Sequence, residues 1–182
     1  MKPIGALMQE HRLIERMLRL IQAEMDRAAV QNKFDIDFID TALDFLVFYA
    51  DHNHHGKEEK LYFPVFLTKS LTPEHRRITT ELIDEHARLR KTFKAISVAA
   101  EAYRQGKKDV FQAIRTGFGE VLMLYPLHVD KEDNHFFYPS MDYLTRQEQD
   151  KMLQDMICAE LLPMAIRKLR FLRMLLNSNY RS

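Results

Sequence analysis

Two histidine–glutamate pairs at helical spacing constrain this chain more than any other feature. His54-His55-Gly56-Lys57-Glu58-Glu59 and His128-Val129-Asp130-Lys131-Glu132-Asp133 each set a glutamate four residues after a histidine, with Lys-Glu directly before a further acidic residue. On a helix, positions i and i+4 stack on one face, so each segment aims an imidazole and a carboxylate at a common point. Each pair also follows a Glu-His on an apolar stripe. Glu10-His11 leads to His54, 43 residues on, and Glu85-His86 leads to His128, 42 residues on. A single histidine on an apolar face is ordinarily a hydrogen-bonded core residue. Four histidines and two glutamates on four inward stripes point instead to a dinuclear metal site. Imidazole with carboxylate suits iron, manganese or zinc, and the lack of thiolates argues against a soft metal.

The stripes define the expected architecture. Ile4, Leu7, His11, Ile14, Leu18, Ile21 and Met25 step by three and four, as one helix face does. The period lapses over 30–37, then resumes through Ile39, Leu43, Val47, Ala50, His54, Glu58, Leu61 and Val65. A buried carboxylate there is costly unless it neutralises or binds something. Thr72-Pro73 reads as an N-cap followed by proline at the first helical position. The third stripe is Leu82, His86, Leu89, Phe93, Ile96, Ala100 and Tyr103, with a glycine stop expected near Gly106. The fourth is Ile114, Val121, Leu124, His128, Glu132 and His135, with a kink or lost hydrogen bond expected from Pro126, just before His128. Two such hairpins cannot each cover their own apolar faces. The expected fold is therefore all-α, an up-down four-helix bundle over residues 1–144.

Residues 145–182 form an extension in which Leu162, Ile166, Leu169, Leu172 and Leu176 make a further stripe. From Met164 onward there are five basic residues and no acidic one. A fifth helix docked on the bundle is expected, with a homodimer through this helix as the alternative. A formal net charge of +1 gives no reason to expect nucleic acid or an anionic membrane as partner. The single cysteine, Cys158, excludes an intramolecular disulfide framework and a Cys-based metal site. No leader-like segment opens the chain and no apolar run can span a bilayer, so a cytoplasmic setting is expected.

Helix two offers a second i,i+4 register, His55 with Glu59. His54 with Glu58 is preferred, because the other register brings Asp51 and His52 onto the face. His52, His55 and His75 are then expected at the surface or behind the ligands. Glu132-x-x-His135 has the ferritin-type spacing, but helix two offers only Asp51-x-x-His54 as its partner.

The set His11, His54-x-x-x-Glu58, His86 and His128-x-x-x-Glu132 resembles the ligand series of the hemerythrin-like (HHE) cation-binding family, over roughly residues 5–140. The resemblance implies a bundle holding two non-haem iron ions, bridged as Fe-O-Fe or Fe-OH-Fe, that meets dioxygen, nitric oxide or peroxide. The four histidines would be terminal ligands and the two glutamates bridges; zinc or manganese could replace iron in recombinant protein. Oxygen-carrying hemerythrins add a histidine one turn after the helix-three ligand, where this chain has Arg90. With five ligands per iron, a sensor or a reactive oxidase, peroxidase or ferroxidase centre is favoured over pure oxygen carriage. Glu15 and Arg90 occupy equivalent places in the repeat and are expected to pair. Related iron–sulfur repair proteins share the His-x-x-x-Glu pairs but carry a cysteine-bearing N-terminal extension, whereas this sequence opens on helix one.

Overall fold

The structure, a computed structural model, describes residues 2–159 and Phe171. Five helices account for nearly all of the described chain, with no strand among the described residues. Helix α1 is Pro3–Gln31, and its proline sits in the first turn, where a missing N–H costs nothing. It stops at Asn32, which adopts the left-handed conformation (φ 51°) typical of a helix C-terminus. Buried Glu24 pins the following connection by accepting from the Arg27 guanidinium and the Asp35 N–H.

Helix α2 runs through successive segments Ile36–Asp44, Phe45–His55, Glu58–Tyr62 and Phe63–Leu67. Helix α3 is Pro73–Arg104, capped by Thr72 accepting from the His75 N–H, and followed by Gly106 at φ 89°. Helix α4 comprises Phe111–Asp130, Lys131–Phe136 and Phe137–Ser140. Short links at 32–35, 68–72 and 105–110 return the chain each time, giving the up-down order. Gly117 lets α3 and α4 approach closely, since a Cβ there would meet Ile96 Cγ1 at 2.4 Å. Helix α5, Arg146–Ala159, opens with a reciprocal cap in which Thr145 and Glu148 each accept from the other's N–H. It buries Met152 and Met156 at one end of the bundle.

The stripe of α1 is buried as expected along its whole length. On α2 and α4 the register drifts. Phe45–His55, Glu58–Tyr62 and Lys131–Phe136 are π-helical, closing i→i+5 hydrogen bonds. Two of these segments begin at or next to a site glutamate and run up to Phe63-Pro64 or Phe137-Tyr138-Pro139. A proline ring clashes with the carbonyl four residues back, and a wider turn relieves the clash. Each π turn takes in about one extra residue, which rotates the inward face. Past the site, Tyr62, Phe63 and Phe66 are therefore the fully buried residues of α2, while Leu61 and Val65 are only partly covered. For the same reason Phe136 and Phe137 point inward and His135 is 65% exposed, which removes the ferritin-type arrangement. The break expected before His128 also lies elsewhere. Pro126 is exposed within a continuous α-helical run, and the helix widens only after Asp130.

The expected C-terminal stripe, Leu162 to Leu176, and any dimer through it lie outside the described residues. Phe171 itself is buried against Phe45, with ring centroids 5.0 Å apart.

Candidate metal centre

The polar layer divides two apolar clusters. On one side stand Ile14, Tyr49, Leu89, Phe93 and Val121; on the other stand Leu7, Tyr62, Phe66, Leu82 and Phe136. Between them His11, His54, Glu58, His86, His128 and Glu132 are all completely buried. They gather as two overlapping clusters, each with its ligand atoms within 4.8 Å of one another: His11, His54, Glu58 and Glu132 in one, His55, Glu58, His86 and His128 in the other.

The histidines pair across each hairpin. Nε2 of His11 lies 2.9 Å from Nε2 of His54, and Nε2 of His86 lies 3.2 Å from Nε2 of His128. Glu58 lies between the pairs, with Oε1 3.6 Å from His54 and Oε2 3.5 Å from His86. Glu132 Oε2 is 3.1 Å from His11 and 3.4 Å from His128. Among the described residues none of the four carboxylate oxygens of Glu58 and Glu132 takes part in a hydrogen bond, although each group stands within ion-pair distance of the histidines. Two buried carboxyl groups without hydrogen bonds, facing four imidazole nitrogens in a dry interior, are a poor arrangement for a metal-free protein and a good one for cations. The donor set therefore fits two metal ions.

Each inward Nε2 is oriented from behind. Nδ1 of His11 bonds Asp133 at 2.8 Å, that of His54 bonds Glu10 at 3.0 Å, that of His86 bonds Glu59 at 2.8 Å and that of His128 bonds Glu85 at 2.8 Å. With a carboxylate accepting at Nδ1, the proton resides there and the Nε2 lone pair faces the centre. The pattern follows the sequence repeat. The glutamate before each histidine of α1 and α3 serves the next helix, and the acid after each inward glutamate serves the first helix of the other hairpin, Glu59 on His86 and Asp133 on His11. Cations steady these acids in turn: Lys57 on Glu10, Lys131 on Glu85, Arg12 on Asp133 and Arg90 on Glu59. Sequence reasoning assigned none of these four carboxylates, although the Glu-His and Glu-Glu/Glu-Asp doublets were its visible signal.

Burial and neighbouring charges pull the acids and histidines of the site in opposite directions. Burial and the nearby Glu132 push Glu58 well above the ordinary carboxylate range. Burial acts the same way on Glu132, but His128, His11 and His54 outweigh it and hold this acid well below that range. Burial opposes charge on His11 too, yet Asp133 and Glu132 raise it to about 9. Burial and the neighbouring His11 lower His54 to about 4.

Of the two places expected for His55, the surface and behind the ligands, the structure shows the second: it is fully buried in the second cluster. Its ring lies flat on His86, centroids 3.8 Å apart and planes within 10°. Imidazole lone pairs lie in the ring plane, so two stacked rings cannot both direct one at the same ion; His55 is a neighbour of the ligands in this geometry. It reaches the interior because the π-helical stretch buries Asp51, Asn53, His54 and His55 together. Glu15 and Arg90 do not form the expected pair. Glu15 bonds Arg12 on the outer edge of α1, while Arg90 bridges Asp51 and Glu59. Helix α2 stands beside Arg90 and offers two carboxylates closer than α1 can. The remaining histidines stay outside the centre: His52 is exposed, and His75 bonds the Tyr143 hydroxyl at 2.9 Å.

A helical bundle with a histidine–carboxylate centre at mid-height defines a class of metal-binding protein. The chain belongs to the hemerythrin HHE cation binding domain family, whose sequence profile matches residues 2–156. A search of curated proteins gave no match. No described helix is long and apolar enough to cross a membrane.

Proposed function

We propose that the protein holds a di-iron centre that binds dioxygen, nitric oxide or peroxide. In this reading His11 and His54 would hold one iron and His86 and His128 the other, with Glu58 and Glu132 shared between them. The observation that carries it is the set of buried oxygens on Glu58 and Glu132, without hydrogen bonds among the described residues, between two closely spaced histidine pairs. The iron pair, when bound, supplies reversible ligand binding and one- or two-electron redox chemistry. The chain's own residues do the rest. Asp133, Glu10, Glu59 and Glu85 hold the Nδ1 protons, and the aromatic layer of Tyr62, Phe63, Phe136 and Phe137 keeps water from one side. Arg90, where oxygen carriers have a further histidine, spends its guanidinium on Asp51 and Glu59 and supplies no ligand. That observation favours a sensing or peroxide-reducing centre over pure carriage. A cytoplasmic location and a bundle domain ending near residue 144 belong to the same proposal.

Metal analysis of protein purified without chelator tests it. His54→Ala and His128→Ala are each expected to lower iron content, and His75→Ala to leave it unchanged. Equal iron in all three variants would overturn the ligand assignment. Arg90→Ala is expected to weaken metal affinity by about 10- to 100-fold, the usual effect of freeing a group that orients a ligand. Competition with a chromophoric chelator measures this; unchanged affinity would mean that Glu59 holds His86 without help.

A further inference from the structure

Helices α3 and α4 leave a groove on the outer surface of the bundle that takes no part in the metal centre. Its apolar half is a recess of about 520 Å³ formed by Ala95, Val98, Ala99, Ala102, Val110 and Ala113, together with Lys91 and Lys94. Through Lys91, Ala95 and Ala113 it continues into a second recess of about 610 Å³, where Arg88, Thr92 and Glu120 stand beside Thr116 and Gly117. From Arg88 to Ala102 the groove follows α3 for about 21 Å, at 1.5 Å per residue. Val98 is 66% exposed, and Ala95 and Ala113 are exposed as well, so apolar surface faces water along the groove.

The charge of the groove is one-sided. Arg88, Lys91 and Lys94 step along α3, whereas Gln112, Ala113, Thr116 and Gly117 on α4 carry no charge. The acid in the lining, Glu120, is held by Arg88 and Thr92, and Glu101 at the far end of α3 is taken by Arg104. Lys91 and Lys94 are exposed and pair with no carboxylate among the described residues. Alanines and valines floor the apolar half, so bulk must come from whatever covers it. A trough between two antiparallel helices seats the side-chain ridge of a third helix, whose own flanks then close it to water. An acyl chain laid in the same trough would stay wet along one side. A second copy meeting it face to face would set Lys91 and Lys94 against their own counterparts.

We propose that this groove docks an amphipathic helix of a partner protein, with bulky apolar residues at helical spacing turned into it and acidic residues turned toward α3. The inference is independent of the metal reading.

The test titrates isotopically labelled full chain with synthetic four-turn helical peptides that share one leucine face and carry flanks of glutamate, glutamine or lysine. The glutamate peptide is expected to bind and to move the amide signals of Ala95, Val98, Ala102 and Ala113. It should bind about 2- to 30-fold tighter than the glutamine peptide, as two exposed ion pairs would give, and added salt should shrink that margin. The double variant Lys91→Glu/Lys94→Glu should reverse the order, so that the lysine peptide binds best. Val98→Ser, at an exposed position that the fold does not need, should weaken all three peptides. Absence of binding by every peptide, affinity indifferent to flank charge, or signals that move elsewhere on the bundle would overturn the inference. Laurate is titrated in parallel, and if it alone moves those signals the groove takes acyl chains and the inference is wrong.

Discussion

Glu58→Gln is expected to raise the stability of the metal-free protein while abolishing dinuclear loading, two effects of opposite sign from one atom exchange. Glu58 is completely buried, its oxygens make no hydrogen bond among the described residues, and burial together with Glu132 raises its pKa. A carboxyl raised on folding costs stability above its unfolded pKa, because the unfolded chain ionises freely and the folded one does not. Below about pH 4 both states are protonated and the cost disappears. The amide never has that cost, so its advantage should widen as pH rises from about 4 toward neutrality. Relief of a buried ionisable group of this kind contributes about 1–3 kcal/mol, or roughly 2–12 °C in Tm for a chain of this length. Thermal unfolding in excess chelator at acid and neutral pH measures it. A lower Tm for the variant at neutral pH would mean that Glu58 is satisfied in the metal-free fold by some contact absent from this structure. With metal present the order should invert, since an amide cannot bridge two cations as a carboxylate does.

The second large effect is stabilisation by metal itself. The clustered donors exist only in the folded chain, so binding adds directly to folding free energy. At a free metal concentration a thousand times the dissociation constant the gain is about 4 kcal/mol, or roughly 8–16 °C in Tm. Chelator should reverse it, and His128→Ala should remove most of it. A Tm indifferent to iron, zinc and manganese alike would argue that the layer is a hydrogen-bonded polar core and nothing more. The hydrogen bonds between Nδ1 atoms and carboxylates exist in either case, so the thermal response separates the two.

Much of the bundle was legible because its signal is local. Ile4 through Met25 repeat at helical spacing, Thr72-Pro73 starts α3, and Gly106 ends it, each by the conformational preferences of a few adjacent residues. The six inward polar residues were legible for the same reason, since a histidine or glutamate on an apolar stripe is conspicuous. What the stripes could not convey was the change of helical pitch. His135 continues the fourth stripe on paper, and His55 falls beside the second; the π turns turn the first outward and bring the second in. The cause is shared between a proline, a close partner helix and the packing of a polar layer, so no single residue announces it.

By itself, then, the order of amino acids determined that four amphipathic helices would form and that each would deliver a histidine to the interior, because periodicity and capping act within a few residues. Tertiary structure alone decided who faces whom. That Glu10 steadies His54 instead of its neighbour His11, that Arg90 turns to Asp51 and Glu59 and not to Glu15, and that His55 lies flat on His86 beneath the Tyr125 hydroxyl are all contacts between helices. They depend on the rotation and height of one helix against another, which the packing of the two apolar clusters sets and no local preference encodes.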